Sequence, residues 1–193
     1  MTSRADHGPG ASAAIAGLAL AATIALPIAS GERSLLWAIL EAFSEDWLNG
    51  VFAGLVIGAP YLVGACLALA VVLRSSLSVV LLRVPITILY IEMVCLALLL
   101  VRDSGDAVAP WSFIGFVLVS TLSAVSRFSR DRRHGRTPSV AWLGRWGAML
   151  VAGLFGWFLL QVLVAGEAQG VISPWATFGA ALLVAATCRP KSG

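Results

Sequence analysis

An all-α integral membrane protein, a bundle of six transmembrane helices with both termini cytoplasmic, is the fold predicted by three observations. Of the 193 residues, 59% are apolar and only 12% charged, far from the balance of a water-soluble domain. The apolar residues gather in six runs of roughly 17 to 25 residues, the length needed to cross a hydrocarbon core. Eleven of the thirteen Lys and Arg residues fall on one side of those runs, the asymmetry that marks the cytoplasmic face. Backbone amides in hydrocarbon must be satisfied within their own segment, so runs of this length are read as helices. Soluble enzyme, nucleic-acid binder and disordered chain are excluded as whole-chain readings.

The first span covers residues 11–29. Arg4 before it and Ala29, Ser30 and Gly31 behind it give the outline of a signal peptide, but nineteen residues exceed a usual signal core. It is therefore expected to stay as a helix, and its removal would leave five helices in the same orientation. Ala13, Gly17, Ala21, Ala25 and Ala29 form a ladder of small residues four apart, a stripe suited to close packing within the bundle or against a partner subunit. Residues 34–48 are too polar to cross. They repeat Leu35, Leu36, Ile39, Leu40, Phe43 and Trp47 at helical spacing, with Glu41, Glu45 and Asp46 opposite, which predicts an amphipathic helix on the outer surface of the bilayer.

The second span, residues 50–73, carries Gly50, Gly54 and Gly58 as a flat packing strip. Pro60 follows and removes an amide donor, so a bend is expected there. The third span is 84–101 and the fourth 110–126, leading into an Arg-rich cytoplasmic loop over 127–145. Arg127, Arg130, Arg132, Arg133 and Arg136 of that loop are expected to lie against anionic lipid headgroups, or to receive an acidic partner. Thr137 and Pro138 read as the N-cap and first residue of the next helix. Spans five and six are 146–164, with a short ladder at Ala148, Ala152 and Gly156, and 172–188. Trp47, Trp111 and Trp175 recur every 64 residues. Pro110, Trp111, Gly115 and Leu118 align with Pro174, Trp175, Gly179 and Leu182, the pattern of two repeated hairpins of the same direction. Interfacial Trp at span ends is also ordinary aromatic-belt usage.

Glu92 is the one acid inside a span. A carboxylate near the midplane costs about 2.5–3.5 kcal/mol on insertion scales, so it should face the bundle interior and be paired or carry a proton. Arg83 is too far along its helix to pair with it, roughly 13 Å by rise per residue. Ser120 and Thr121 of span four and Tyr61 of span two reach a similar depth, about 15–16 Å from the outer end. These four residues are expected to form a proton or cation site. A protonated Glu in a structural interhelical hydrogen bond is the competing reading.

Three cysteines without a CxxC pair and two histidines at distant positions argue against a disulfide framework, a metal site or haem, and no cofactor is expected. Metalloprotease, nucleophile-elbow and phosphate-cradling motifs are missing, and no nucleic-acid module is present. Six helices, internal termini, this length and the alanine-striped first helix loosely resemble the substrate-binding components of energy-coupling vitamin transporters, a resemblance of architecture. The expected function is a small inner-membrane transporter, or the membrane subunit of one, moving a small solute or ion and coupled to protons through Glu92. The alternative is a non-catalytic accessory or assembly protein that binds another membrane protein or a second copy of itself; an intramembrane enzyme comes third.

Overall fold

The computed structural model describes residues 10–29, 32–73, 77–103, 108–133, 135, 138–166 and 171–188. Its regular elements are helices: α1 Ala11–Ala22, extended by a 3₁₀ turn over Thr23–Ala25, α2 Leu35–Glu45, α3 Trp47–Val56, α4 Ala59–Leu73, α5 Leu77–Asp103, α6 Val108–Arg133, α7 Val140–Val164 and α8 Ser173–Thr187. Among the described residues, α5, α6 and α7 are long and apolar enough to cross a membrane, and α3 with α4 makes a fourth candidate if the bent pair is one span. The helices α1 and α8 are apolar but shorter.

The first span ends sooner than expected. The helical path stops at Ala25, and Leu26 is extended with φ −76° and ψ 145°, the conformation that a following proline imposes. Residues 27–29 then run beside the start of α8, where the Ile172 and Ser173 amides donate to Ile28 and Pro27 carbonyls at 3.0 and 3.1 Å. The amphipathic segment forms α2, capped by the Ser34 hydroxyl, which accepts from the Trp37 amide at 3.2 Å. The Arg33 guanidinium lies 3.5 Å over the Trp37 ring and 3.6 Å from Glu41.

The second span is not one helix. Its two halves, α3 and α4, meet at 75° around Ile57 and Gly58. Pro60 has no N–H to give the Val56 carbonyl, and its ring crowds the turn before it. At Gly58 any Cβ would run into the Gly54 carbonyl oxygen, so the break requires glycine. The three glycines therefore do different things instead of forming one strip. Gly50 lies against the Phe43 ring where α2 folds back on α3, whereas a methyl on Gly54 would make only ordinary contact, 3.8 Å from Ile39.

The Arg-rich loop is largely helix. Residues 127–133 prolong α6, and α7 begins at Val140, so the segment drawn as a loop over 127–145 shrinks to the residues between them. Arginine is a good helix former and nothing in 127–133 interrupts the turn. The Arg127 side chain also meets Asp131 one turn on, at 3.5 Å. Chain reversal falls at Gly135, whose φ of 62° favours glycine. The N-cap of α7 is Ser139, whose hydroxyl accepts from the Trp142 amide at 3.2 Å, one step beyond the expected pair. Thr137 lies outside the described residues.

The core is organised around α7, which touches α4, α5, α6 and α8. Its Gly144 receives Leu67, its Gly147 receives Ile86 and Val63, and its Gly153 receives the Phe116 ring. The α1 ladder is used where Gly17 crosses Gly64 of α4: a Cβ on Gly17 would lie 2.6 Å from the Gly64 carbonyl oxygen. On the far side Phe113 of α6 is fully buried against Trp157 of α7, ring centroids 4.8 Å apart. The two hairpins proposed as repeats are unlike in packing, since α7 and α8 are in extensive contact and α5 and α6 touch sparsely.

Candidate functional site

The depth of Glu92 follows from two anchors. The Ser78 hydroxyl, at the start of α5, donates to the Ala70 carbonyl of α4 at 3.1 Å, and the two helices run antiparallel from there. Fourteen residues later, about 21 Å at the usual rise, Glu92 comes level with residue 56. Independently, a methyl on Gly147 would lie 2.8 Å from Ile86 and 2.9 Å from Val63, which puts these three at one depth. Six residues beyond Ile86 is Glu92, and six before Val63 is Ile57, both about 9 Å further on. The carboxylate is thus level with the 75° break between α3 and α4, to within about one turn. Glu92 Oε1 is buried and makes no hydrogen bond.

Glu92, Ser120, Thr121 and Tyr61, expected to form one site, are not joined by hydrogen bonds among the described residues. Thr121 bonds to the Tyr90 hydroxyl and donates to the Val117 carbonyl at 2.7 Å. Tyr90 precedes Glu92 by two residues, about 200° around a helix, so α6 faces the opposite side of α5. Ser120 is half-buried on α6 beside Thr121. Tyr61 lies in the first turn of α4, its ring edge-on to Phe155 at 6.2 Å. Its hydroxyl is buried beside Thr177 and Ser173 without a hydrogen bond.

That places Tyr61 in a buried polar cluster that the sequence reading did not name. The Thr177 hydroxyl contacts the Thr23 hydroxyl at 3.0 Å and the Ser173 carbonyl at 2.8 Å, and the Ser173 hydroxyl donates to the Thr23 carbonyl at 3.3 Å. Thr23, Ser173 and Thr177 are all buried. The Ser173 hydroxyl thus serves the Thr23 carbonyl at the end of α1, where regular helical bonding stops. The signal available in sequence was weak, because Thr23 and Thr177 are single hydroxyls in apolar runs. Pro27 beside the one and Pro174 beside the other marked the helix ends.

Of the remaining residues, Pro60 is buried in the first turn of α4 and Gly58 forms the turn before it. Arg130 and Arg133, with Ser126 and Ser129, line a surface depression of about 360 Å³ at the basic end of α6. Arg132 is on the same helix, and Arg136 lies outside the described residues. Compared with known proteins, the chain matches no family model, no curated protein and no solved structure.

The arrangement combines two kinds of group. Glu92 is half-buried with one carboxylate oxygen fully enclosed, and an acid so placed binds a proton or a cation more readily than it stays bare. In the same layer Pro60 cannot serve the Val56 carbonyl, and carbonyls freed at helix breaks bind ions or polar solutes.

Proposed function

We propose that the chain is a small inner-membrane transporter, or the membrane subunit of one. In this reading it crosses the bilayer six times with both termini cytoplasmic and moves a small solute or ion past Glu92. The supporting observation is the coincidence in depth of an unbonded buried carboxylate oxygen and a helix broken by 75°. Discontinuous helices with an acid beside them supply what coupled transport needs: a titrating group, free backbone dipoles and a joint about which one half can move. Glu92 binds the coupling proton or cation, and the Val56 carbonyl released by Pro60 completes its coordination or receives the solute. The helices α1 and α8, about 22 Å long at 15 residues, cross with the help of the extended segments at their ends or of a locally thinned bilayer.

The test is uptake in proteoliposomes carrying an internal pH indicator, with candidate solutes added under an imposed proton gradient. Glu92→Gln should insert and melt like the parent yet lose proton-coupled uptake. Full coupled activity of the Gln variant at pH 7 would end the assignment to Glu92. If no solute moves protons and the chain co-purifies stoichiometrically with another membrane protein, the accessory reading replaces this one.

A further inference from the structure

Between α5, α6 and α7, at the end where the arginines collect, lies an open cavity of about 420 Å³ that plays no part in the Glu92 site. The helix α6 is pinned to its neighbours above and below it. The upper pin is the Tyr90–Thr121 hydrogen bond, and the lower is the edge-on contact of Phe128 with Trp142, centroids 5.1 Å apart. The groove is lined by Arg83, Ile86, Thr87 and Tyr90 of α5, Phe128 of α6, and Leu143 and Trp146 of α7.

The lining is apolar and aromatic with donors at its polar points, and no carboxylate belongs to it. Arg83 makes no ion pair among the described residues and is exposed. The Trp146 indole N–H is buried without an acceptor, a loss that a partner oxygen would repair. Trp142 and Trp146 stack with centroids 5.8 Å apart and planes 6° from parallel, making one wall rigid. A groove of this volume suits a ligand of moderate size. An apolar slot flanked by an unpaired cation at the end of the span matches one kind of molecule, with a chain for the slot and a negative head for the cation.

We infer that this groove binds an anionic phospholipid, its acyl chain along Ile86, Tyr90, Phe128 and Leu143 and its phosphate at Arg83. Charge complementarity selects the occupant: basic pockets between membrane helices recruit anionic headgroups, and a zwitterionic lipid would bring a second cation toward Arg83. A bound lipid also fills the gap between α6 and its neighbours, so the lipid becomes part of the bundle's packing.

The experiment uses the full chain in detergent micelles, titrated with dioleoyl phosphatidylglycerol, with dioleoyl phosphatidylcholine of identical chains, and with inorganic phosphate, bound lipid being counted by native mass spectrometry. The parent should retain one phosphatidylglycerol with at least a fivefold preference over phosphatidylcholine, roughly what one charge near the surface is worth. Arg83→Gln should erase that preference while leaving the melting temperature in lipid-free micelles unchanged. Thr87→Phe, which fills the slot from an exposed position, should abolish retention of both lipids. Equal retention of the two lipids by the parent overturns the inference, as does a preference that survives both variants. Displacement of the lipid by millimolar inorganic phosphate also overturns it, because the site would then be one for the free anion.

Discussion

The crossing of α1 and α4 allows a quantitative test, because backbone meets backbone there. A methyl group on Gly17 would sit 2.6 Å from the Gly64 carbonyl oxygen, and one on Gly64 would strike the Gly17 carbonyl and lie 3.0 Å from the Ala21 amide. Neither obstacle is a side chain that can rotate away. Ordinary contact begins near 3.4 Å, so Gly17→Ala must open the crossing by about 0.8 Å. A gap of that size forfeits a quarter to a half of the dispersion energy of each atom pair across it. With on the order of 40 pairs at about 0.1–0.2 kcal/mol each, the loss is roughly 1–4 kcal/mol. Gly64→Ala should cost a similar amount. The double variant should cost less than the sum by about 1 kcal/mol or more, since one opening relieves both collisions. The assay is unfolding by sodium dodecyl sulfate in mixed micelles, followed by circular dichroism, with Gly115→Ala as control because its new methyl meets nothing within 4 Å. If Gly64→Ala is no more costly than Gly115→Ala, or if the two crossing variants simply add, the close approach is not what holds these helices together.

At the helix break, Gly58→Ala should destabilise the chain measurably by driving a methyl into the Gly54 carbonyl, whereas Gly54→Ala should be close to neutral with ordinary contact at 3.8 Å, both read in the same unfolding assay. Reporter fusions after Arg136 and after Lys191 should read cytoplasmic and a fusion after Asp106 external, as the arginine distribution requires, and any reversal removes the proposed orientation.

What the sequence revealed about the fold depended on which physical constraint was local. Apolar run length located α5 and the centres of α6 and α7, because a stretch of leucine and valine has one interpretation in lipid. It missed the ends: arginine does not stop a helix, so α6 continued through Arg127 and Arg133, and the boundary waited for Gly135. Pro60 announced a bend, but its size depended on Gly58 tolerating a position that no Cβ allows. Around Glu92, residues were matched by depth without asking which way each pointed. Thr121 had the right height and faced Tyr90, while the Thr23, Ser173 and Thr177 contacts join parts of the chain about 150 residues apart that no sequence pattern relates.

Those contacts also set a timetable. The Ile28 carbonyl accepts from the Ile172 amide, and the Thr23 and Pro27 carbonyls accept from Ser173, donors that synthesis at about 5–20 residues per second delivers roughly 8–30 s later. In the interval the first helix has α4 for company along Gly17, while the polar groups at its tip bond to water. In the proposed six-span topology the tip of α1 is completed only when the last helix arrives, so a chain halted before Ser173 would hold an α1 docked on α4 with these hydrogen bonds unmade.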